Sequence, residues 1–245
     1  MAGILAGRNP HGSPVTSGRR TSFRTWQERI RDPSLTVLLI LEVCVIFVAA
    51  PLAVKGLPVA RGVGETLILA VVVVVVLLSY RRGAIVVILL GLVARFASFS
   101  LGPEWSSIAV GVLNRSGNIL IFSALSWVVA HAVYAPGRIT FHRLQGAVVL
   151  YLNFASIFAS VFSLIWNLDP AAYANLAAPT GGPSEMVTML YFSLTTMTTT
   201  GYGDIVPVDP FARSLANLES ILGQFYFAIT VARLVTLELE DHRHR

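Results

Sequence analysis

Five apolar stretches dominate the chain, at residues 35–54, 66–80, 108–134, 144–166 and 215–236. A helix needs about 20 apolar residues to cross a bilayer core about 30 Å thick, and most of these runs reach or approach that length. Hydrocarbon offers no partner to a backbone N–H or C=O, so the runs must be helical. Six consecutive valines at 71–76 would weaken a helix in water, but here no solvated strand is open to them. Charged residues make up only 13% of the chain, about half the share usual in a soluble domain. The fold class read from this is an all-α membrane protein.

Between 66 and 100 the one strong interruption is Tyr80-Arg81-Arg82-Gly83. Two arginines at mid-bilayer are costly, so the segment divides into short helices at about 64–80 and 83–100. Six spans are expected: 35–54, 64–80, 83–100, 108–134, 144–166 and 211–237. A further apolar piece at 186–197 is too short to cross and suits a re-entrant helix. With the N-terminus in the cytoplasm, twelve arginines fall on the inner side, against Lys55, Arg61 and Arg213 outside. That asymmetry obeys the positive-inside rule and places both termini in the cytoplasm. No secretory signal is read, because the apolar core begins near residue 35 and its end lacks a small-residue cleavage site, so 35–54 is expected to be a retained span.

Residues 1–34 carry six arginines and open with Pro10, Gly12 and Pro14. Phe23, Trp26 and Ile30 then recur at helical spacing among Arg24, Arg29 and Arg31, which reads as a short helix lying on anionic lipid. A solvated basic tail is the alternative. The net charge of +5 is a topology signal and calls for no nucleic acid. The single cysteine, Cys44, excludes a disulfide within the chain and reads as a buried thiol.

The loop Thr198-Thr199-Thr200-Gly201-Tyr202-Gly203-Asp204 is foreign to this apolar setting. A helix over 184–197 precedes it, opened by Gly182-Pro183-Ser184-Glu185, with proline and an acid where a helix start favours them. Pro207 and then Asp209-Pro210 follow, a cap and first position for the last span. Irregular backbone at membrane depth is tolerated only where it lines water or is buried in protein. Gly201 and Gly203 permit backbone angles closed to other residues. Alternation of ordinary and left-handed conformations turns successive carbonyls to one side. Four copies would then stack rings of oxygen from Thr199, Thr200, Gly201 and Tyr202, with the Thr199 hydroxyl below, able to replace a cation's hydration shell.

On these residues the chain resembles a potassium channel of the tetrameric, voltage-gated-like superfamily, of a six-span bacterial type. The similarity covers about 144–237: outer helix, pore helix, filter and inner helix. It implies a homotetramer with K+ held at Thr199, Thr200, Gly201, Tyr202 and Gly203, and no organic cofactor. It further implies that Tyr202 turns its ring toward a cuff of Tyr191 and Phe192, that Asp204 hydrogen-bonds behind the filter, and that Gly223 is an inner-helix hinge. Threonine stands at 200 where valine is usual, and Thr195 where some relatives place a glutamate. The implied organisation is an arm at 1–34, a four-helix voltage-sensor-like domain at 35–134, a linker at 135–143, a pore domain at 144–237 and a tail at 238–245.

Relatives that sense voltage carry a ladder of arginines on the fourth span; here 108–134 holds Arg115 alone, and the third span Arg95. One charge crossing the field is worth about 2.3 kcal/mol per 100 mV, so four subunits supply only about 9. Steep voltage gating is not expected. Glu219 lies at a depth similar to Arg115 and is a better-matched structural partner than Glu42, which lies about 10 Å lower at 1.5 Å per residue and reaches an arginine only with extended side chains. The alternative is that the arginines snorkel outward while Glu219 bonds to the backbone behind the pore helix. The tail at 238–245 is too short for a nucleotide- or calcium-binding module, so gating is expected from the membrane, the ion, pH, the arm or a separate protein.

No metal-ligand spacing of His or Cys and no Ser-His-Asp set lies within the spans, which argues against an enzyme. One full motif without internal repeats argues against a four-loop potassium transporter subunit. The alternative that shares the fold is a weakly selective cation channel. Seventeen arginines to one lysine suggest a GC-rich bacterial genome, and hence an inner membrane.

Overall fold

The computed structural model describes residues 34–56, 82–101, 107–134, 141–179 and 183–243. Helix α1 covers Ser34–Val54 and includes a π-helical turn at Val45–Ala49, ahead of Pro51. Proline lacks an N–H and crowds the carbonyl four residues back, which a wider turn accommodates. Helices α2 (Arg82–Ser100), α3 (Ser107–Val133), α4 (Phe141–Leu168), α5 (Pro183–Met197) and α6 (Pro210–Arg243) follow. Among the described residues, four helices are long and apolar enough to cross a membrane: α1, α3, α4 and α6 as far as Arg233. Gly83–Ser98 within α2 is a shorter apolar helix.

The expected spans at 35–54, 83–100, 108–134, 144–166 and 211–237 thus fall on α1, α2, α3, α4 and α6. The expected span 64–80, the basic arm at 1–33 and most of the 135–143 linker lie outside the described residues. Two boundaries differ. Helix α4 begins at Phe141 and takes in the end of the expected linker. Helix α6 runs on to Arg243 through the expected tail, because the Leu-Glu-Leu-Glu stretch at 237–240 is made of good helix formers.

Small residues set the helix contacts, as packing rather than water exclusion must do in a bilayer. Helices α2 and α3 cross at Gly91 and Gly117, where a Cβ on either glycine would sit 2.8 Å from the other's carbonyl oxygen. Helix α3 then packs along α4 of its own chain, so the front half lies directly beside the outer helix of its own back half. One core cluster joins Leu38, Ile88, Ile121, Leu125 and Val149. The other gathers Ala155, Ala159, Phe162, Met189 and Phe192 around α4 and α5. Polar side chains on α4 bond within their own helix: the hydroxyl of Ser156 donates to the Leu152 carbonyl at 3.0 Å, and that of Ser160 to Ser156 at 2.8 Å. That satisfies these buried hydroxyls within the helix, where hydrocarbon would offer no partner.

The two flanks of the loop are stapled together. Strand β1 (Tyr173–Ala174) pairs antiparallel with β2 (Val206–Pro207), Tyr173 opposite Pro207. Val208 and Asp209 both donate their N–H to the carbonyl of Ala172, at 2.8 and 3.1 Å. The 198–204 segment is therefore held at one end by α5 and at the other by β2.

Candidate functional site

Helix α5 is 15 residues long, about 22 Å at 1.5 Å per residue, too short to cross a bilayer core. Its last turn passes straight into the loop. The Thr195 carbonyl accepts from the N–H of both Thr200 (2.8 Å) and Gly201 (3.1 Å), and Thr198 donates its hydroxyl to the Leu194 carbonyl at 2.7 Å. The final carbonyls of the helix thus hold the entrance of the segment they precede.

Positive φ values fall on alternate residues: 57° at Thr199, 51° at Gly201 and 78° at Gly203. The glycines take this region freely. Thr199 is β-branched and does not; such strain costs about 1–3 kcal/mol and persists only where the surroundings enforce it. Among the described residues no hydrogen bond of the chain ends on a carbonyl oxygen of 199–203. Residues 198–204 are all exposed. An alternating backbone with five unpartnered carbonyls presents oxygen and little else, which suits a weakly hydrated cation.

Side chains brace the segment from behind. The Tyr202 ring stacks on Tyr191 with centroids 6.2 Å apart and planes 2° from parallel. Tyr191 donates its hydroxyl to Asp204 at 2.8 Å, and the other Asp204 oxygen accepts the Ile205 N–H at 3.1 Å. Phe192 does not join this cuff. It turns into the core, 5% exposed, edge-on to Phe162 at 5.0 Å and Tyr173 at 5.8 Å. One residue along a helix is a rotation of about 100°, so adjacent aromatics cannot share a target. Burial, with Asp209 and Glu219 adding to it, pushes the Tyr173 hydroxyl above the ordinary phenol value, and it remains a donor to the Phe162 carbonyl at 3.2 Å.

Below the loop, α6 is unbroken through Gly223. A Cβ there would overlap the Met197 carbonyl oxygen, so the glycine's visible role is close passage of α6 under the end of α5 rather than a bend. The next residue, Gln224, donates to the Thr199 hydroxyl at 3.3 Å. Sequence reading passed over Gln224, although its place beside the glycine on an apolar helix is a signal. Asp209 caps α6 as expected from its position before Pro210, accepting the Ala212 N–H at 2.9 Å. Arg213 donates to the Pro207 carbonyl at 2.9 Å.

The intramembrane charges pair differently from expectation. Arg115 does not meet Glu219. Its guanidinium lies 3.0 Å from Glu185 in the first turn of α5, with side chains 7% and 2% exposed. Glu219 is fully buried and bonds the Ser193 hydroxyl, which also contacts the Ala155 carbonyl. Depth along the membrane normal matched Arg115 with Glu219, but rotation about each helix axis decides the partner, and Glu219 faces the back of α5. Glu42 is 5% exposed, and among the described residues neither of its oxygens has a hydrogen-bond partner; the expected reach to Arg95 or Arg115 is not made there. Arg95 lies half-buried, its stem against Gly117.

Residues 146–239 match a sequence family described as Ion channel, a stretch that contains α5, the loop and nearly all of α4 and α6. Over 79 residues, 32% of this chain, the sequence is 29% identical to the potassium voltage-gated channel protein shk-1 of Caenorhabditis elegans; the match spans 15% of that protein. No solved structure matches the chain. The similarities support ion-channel function, and the apolar helices support a place in a membrane.

Proposed function

We propose that the chain is a potassium-selective channel subunit, four copies of which surround one pore and conduct K+ passively. The observation that carries this reading is the segment 199–203, left-handed at every second residue and with none of its carbonyls engaged among the described residues. One such segment supplies oxygen on a single side of an ion. Replacement of a hydration shell requires several, and closed fourfold symmetry supplies them. The exposed apolar residues of α6, among them Leu218, Ile221, Leu222, Phe225 and Ile229, supply surface for neighbouring copies and for lipid.

In this reading Thr199, Thr200, Gly201, Tyr202 and Gly203 hold K+. Tyr191 and Asp204 brace the outer part of the filter, and Gln224 its inner end. Asp204 and Asp209 draw cations to the outer mouth. The C-terminal end of α5 bears partial negative charge toward the inner entrance. Arg115, paired with a carboxylate on the pore helix, is a poor gating charge, which supports weak voltage dependence. The termini are cytoplasmic and anionic lipid lies at the N-terminal arm, a reading supported by the arginine distribution; the membrane is a bacterial inner membrane, a reading supported by the excess of arginine over lysine. Reversal potentials of the reconstituted chain in opposed K+ and Na+ solutions test the reading. Values near the K+ equilibrium potential support it; values near zero indicate the weakly selective alternative.

A further inference from the structure

The carboxylate of Glu185 is a meeting point of three helices. Its Oε2 accepts from Arg115 on α3 at 3.0 Å and from Asn167 at the end of α4 at 3.3 Å. Asn167 also donates to the Ser163 carbonyl at 2.7 Å, which fixes its orientation. Gly111, four residues before Arg115 and so on the same face of α3, makes room for this arrangement: a Cβ there would stand 2.7 Å from the Asn167 Oδ1. One stripe of α3 therefore meets two elements, Gly111 against the end of α4 and Arg115 against the start of α5. The far end of α5 holds the N–H groups of Thr200 and Gly201 through the Thr195 carbonyl. A helix of that length is rigid, so a displacement at Glu185 reaches the loop.

We infer that Arg115, Asn167 and Glu185 form a junction through which the front-half helices position α5 and, through it, the filter. Arg115 is then a positioning residue for selectivity and not a mobile sensor of voltage. The inference rests on the reading of 199–203 as the filter. It assigns the contact between α3 and the pore to the outer end of α5, directly through side chains rather than through the chain linking α3 to α4.

The test uses the full chain in liposomes, comparing Arg115→Gln, Glu185→Gln, the exchange Arg115→Glu with Glu185→Arg, and Gly111→Ala. Two quantities are read, the K+/Na+ permeability ratio and the steepness of conductance against voltage. Each single charge removal is expected to lower the ratio about tenfold, equivalent to about 1.4 kcal/mol, with steepness unchanged. The exchange is expected to recover most of the ratio. Gly111→Ala, which presses on Asn167 while leaving both charges in place, is expected to lower it less. Wild-type ratios in assembled single variants, or a loss of steepness equal to one charge per subunit, overturn the inference. Should the single variants fail to assemble, Gly111→Ala decides it, a wild-type ratio there being the contrary result. A native chain without K+ selectivity defeats the filter reading instead. The junction is then judged by thermal unfolding of the singles and the double Arg115→Gln/Glu185→Gln, where non-additive losses support it and additive losses reject it.

Discussion

Thr199 shows how much a single residue discloses. A β-branched side chain at φ 57° is held in a conformation it disfavours, by the turn that closes α5 and by Gln224 from below. Gly201 and Gly203 relieve the same demand at the next two alternate positions. Gly201→Ala is expected to abolish K+ flux while leaving the assembly intact, because nothing lies within 4 Å of the added Cβ and only the backbone angle is opposed; flux assays beside size measurement check this. Tyr191→Phe removes the hydroxyl that holds Asp204. At an exposed site that bond adds little to folding, so the expected outcome is a faster decline of current during sustained opening, with folding unchanged. Gly223→Ala sets a methyl group against the Met197 carbonyl and is expected to destabilise by about 1–3 kcal/mol, read as a lowered unfolding temperature.

At the scale of elements, the capped start of α6, the short α5 and the irregular segment between them were legible because each leaves a local signal. Proline and acid open a helix, glycine marks left-handed backbone, and run length separates a helix long enough to cross a bilayer from one that is not. Partner choice among buried charges was not legible. Residue counting yields depth in the membrane, but not the direction a side chain faces. Depth alone matched Arg115 to Glu219, whereas the fold turns Glu219 to Ser193 and brings Glu185, read from sequence merely as a helix-start acid, to Arg115. The resemblance alone places Phe192 in the cuff, and the fold turns it into the core instead. Removing either member of the buried pair strands the other charge, at a cost of about 3–5 kcal/mol. Arg115→Gln is accordingly expected to lower the unfolding temperature well beyond what a surface arginine substitution does, measured in matched detergent or nanodiscs.

Across the whole molecule, two clusters share α4 as a common wall, and the back half presents its loop and much of α6 outward. In the proposed tetramer that surface meets neighbouring copies and lipid. If four copies bind K+ only when folded and assembled, K+ stabilises the assembly by mass action, about 2.7 kcal/mol at a hundredfold excess over the dissociation constant. Thermal unfolding is expected to shift upward with K+ and not with Na+ at equal ionic strength. Conduction itself bears most directly on the account. With purified chain in a planar bilayer, K+ on one side and Na+ on the other, the current is expected to reverse close to the K+ equilibrium potential and to vanish in Gly201→Ala. A reversal near zero, or a current indifferent to that substitution, contradicts it.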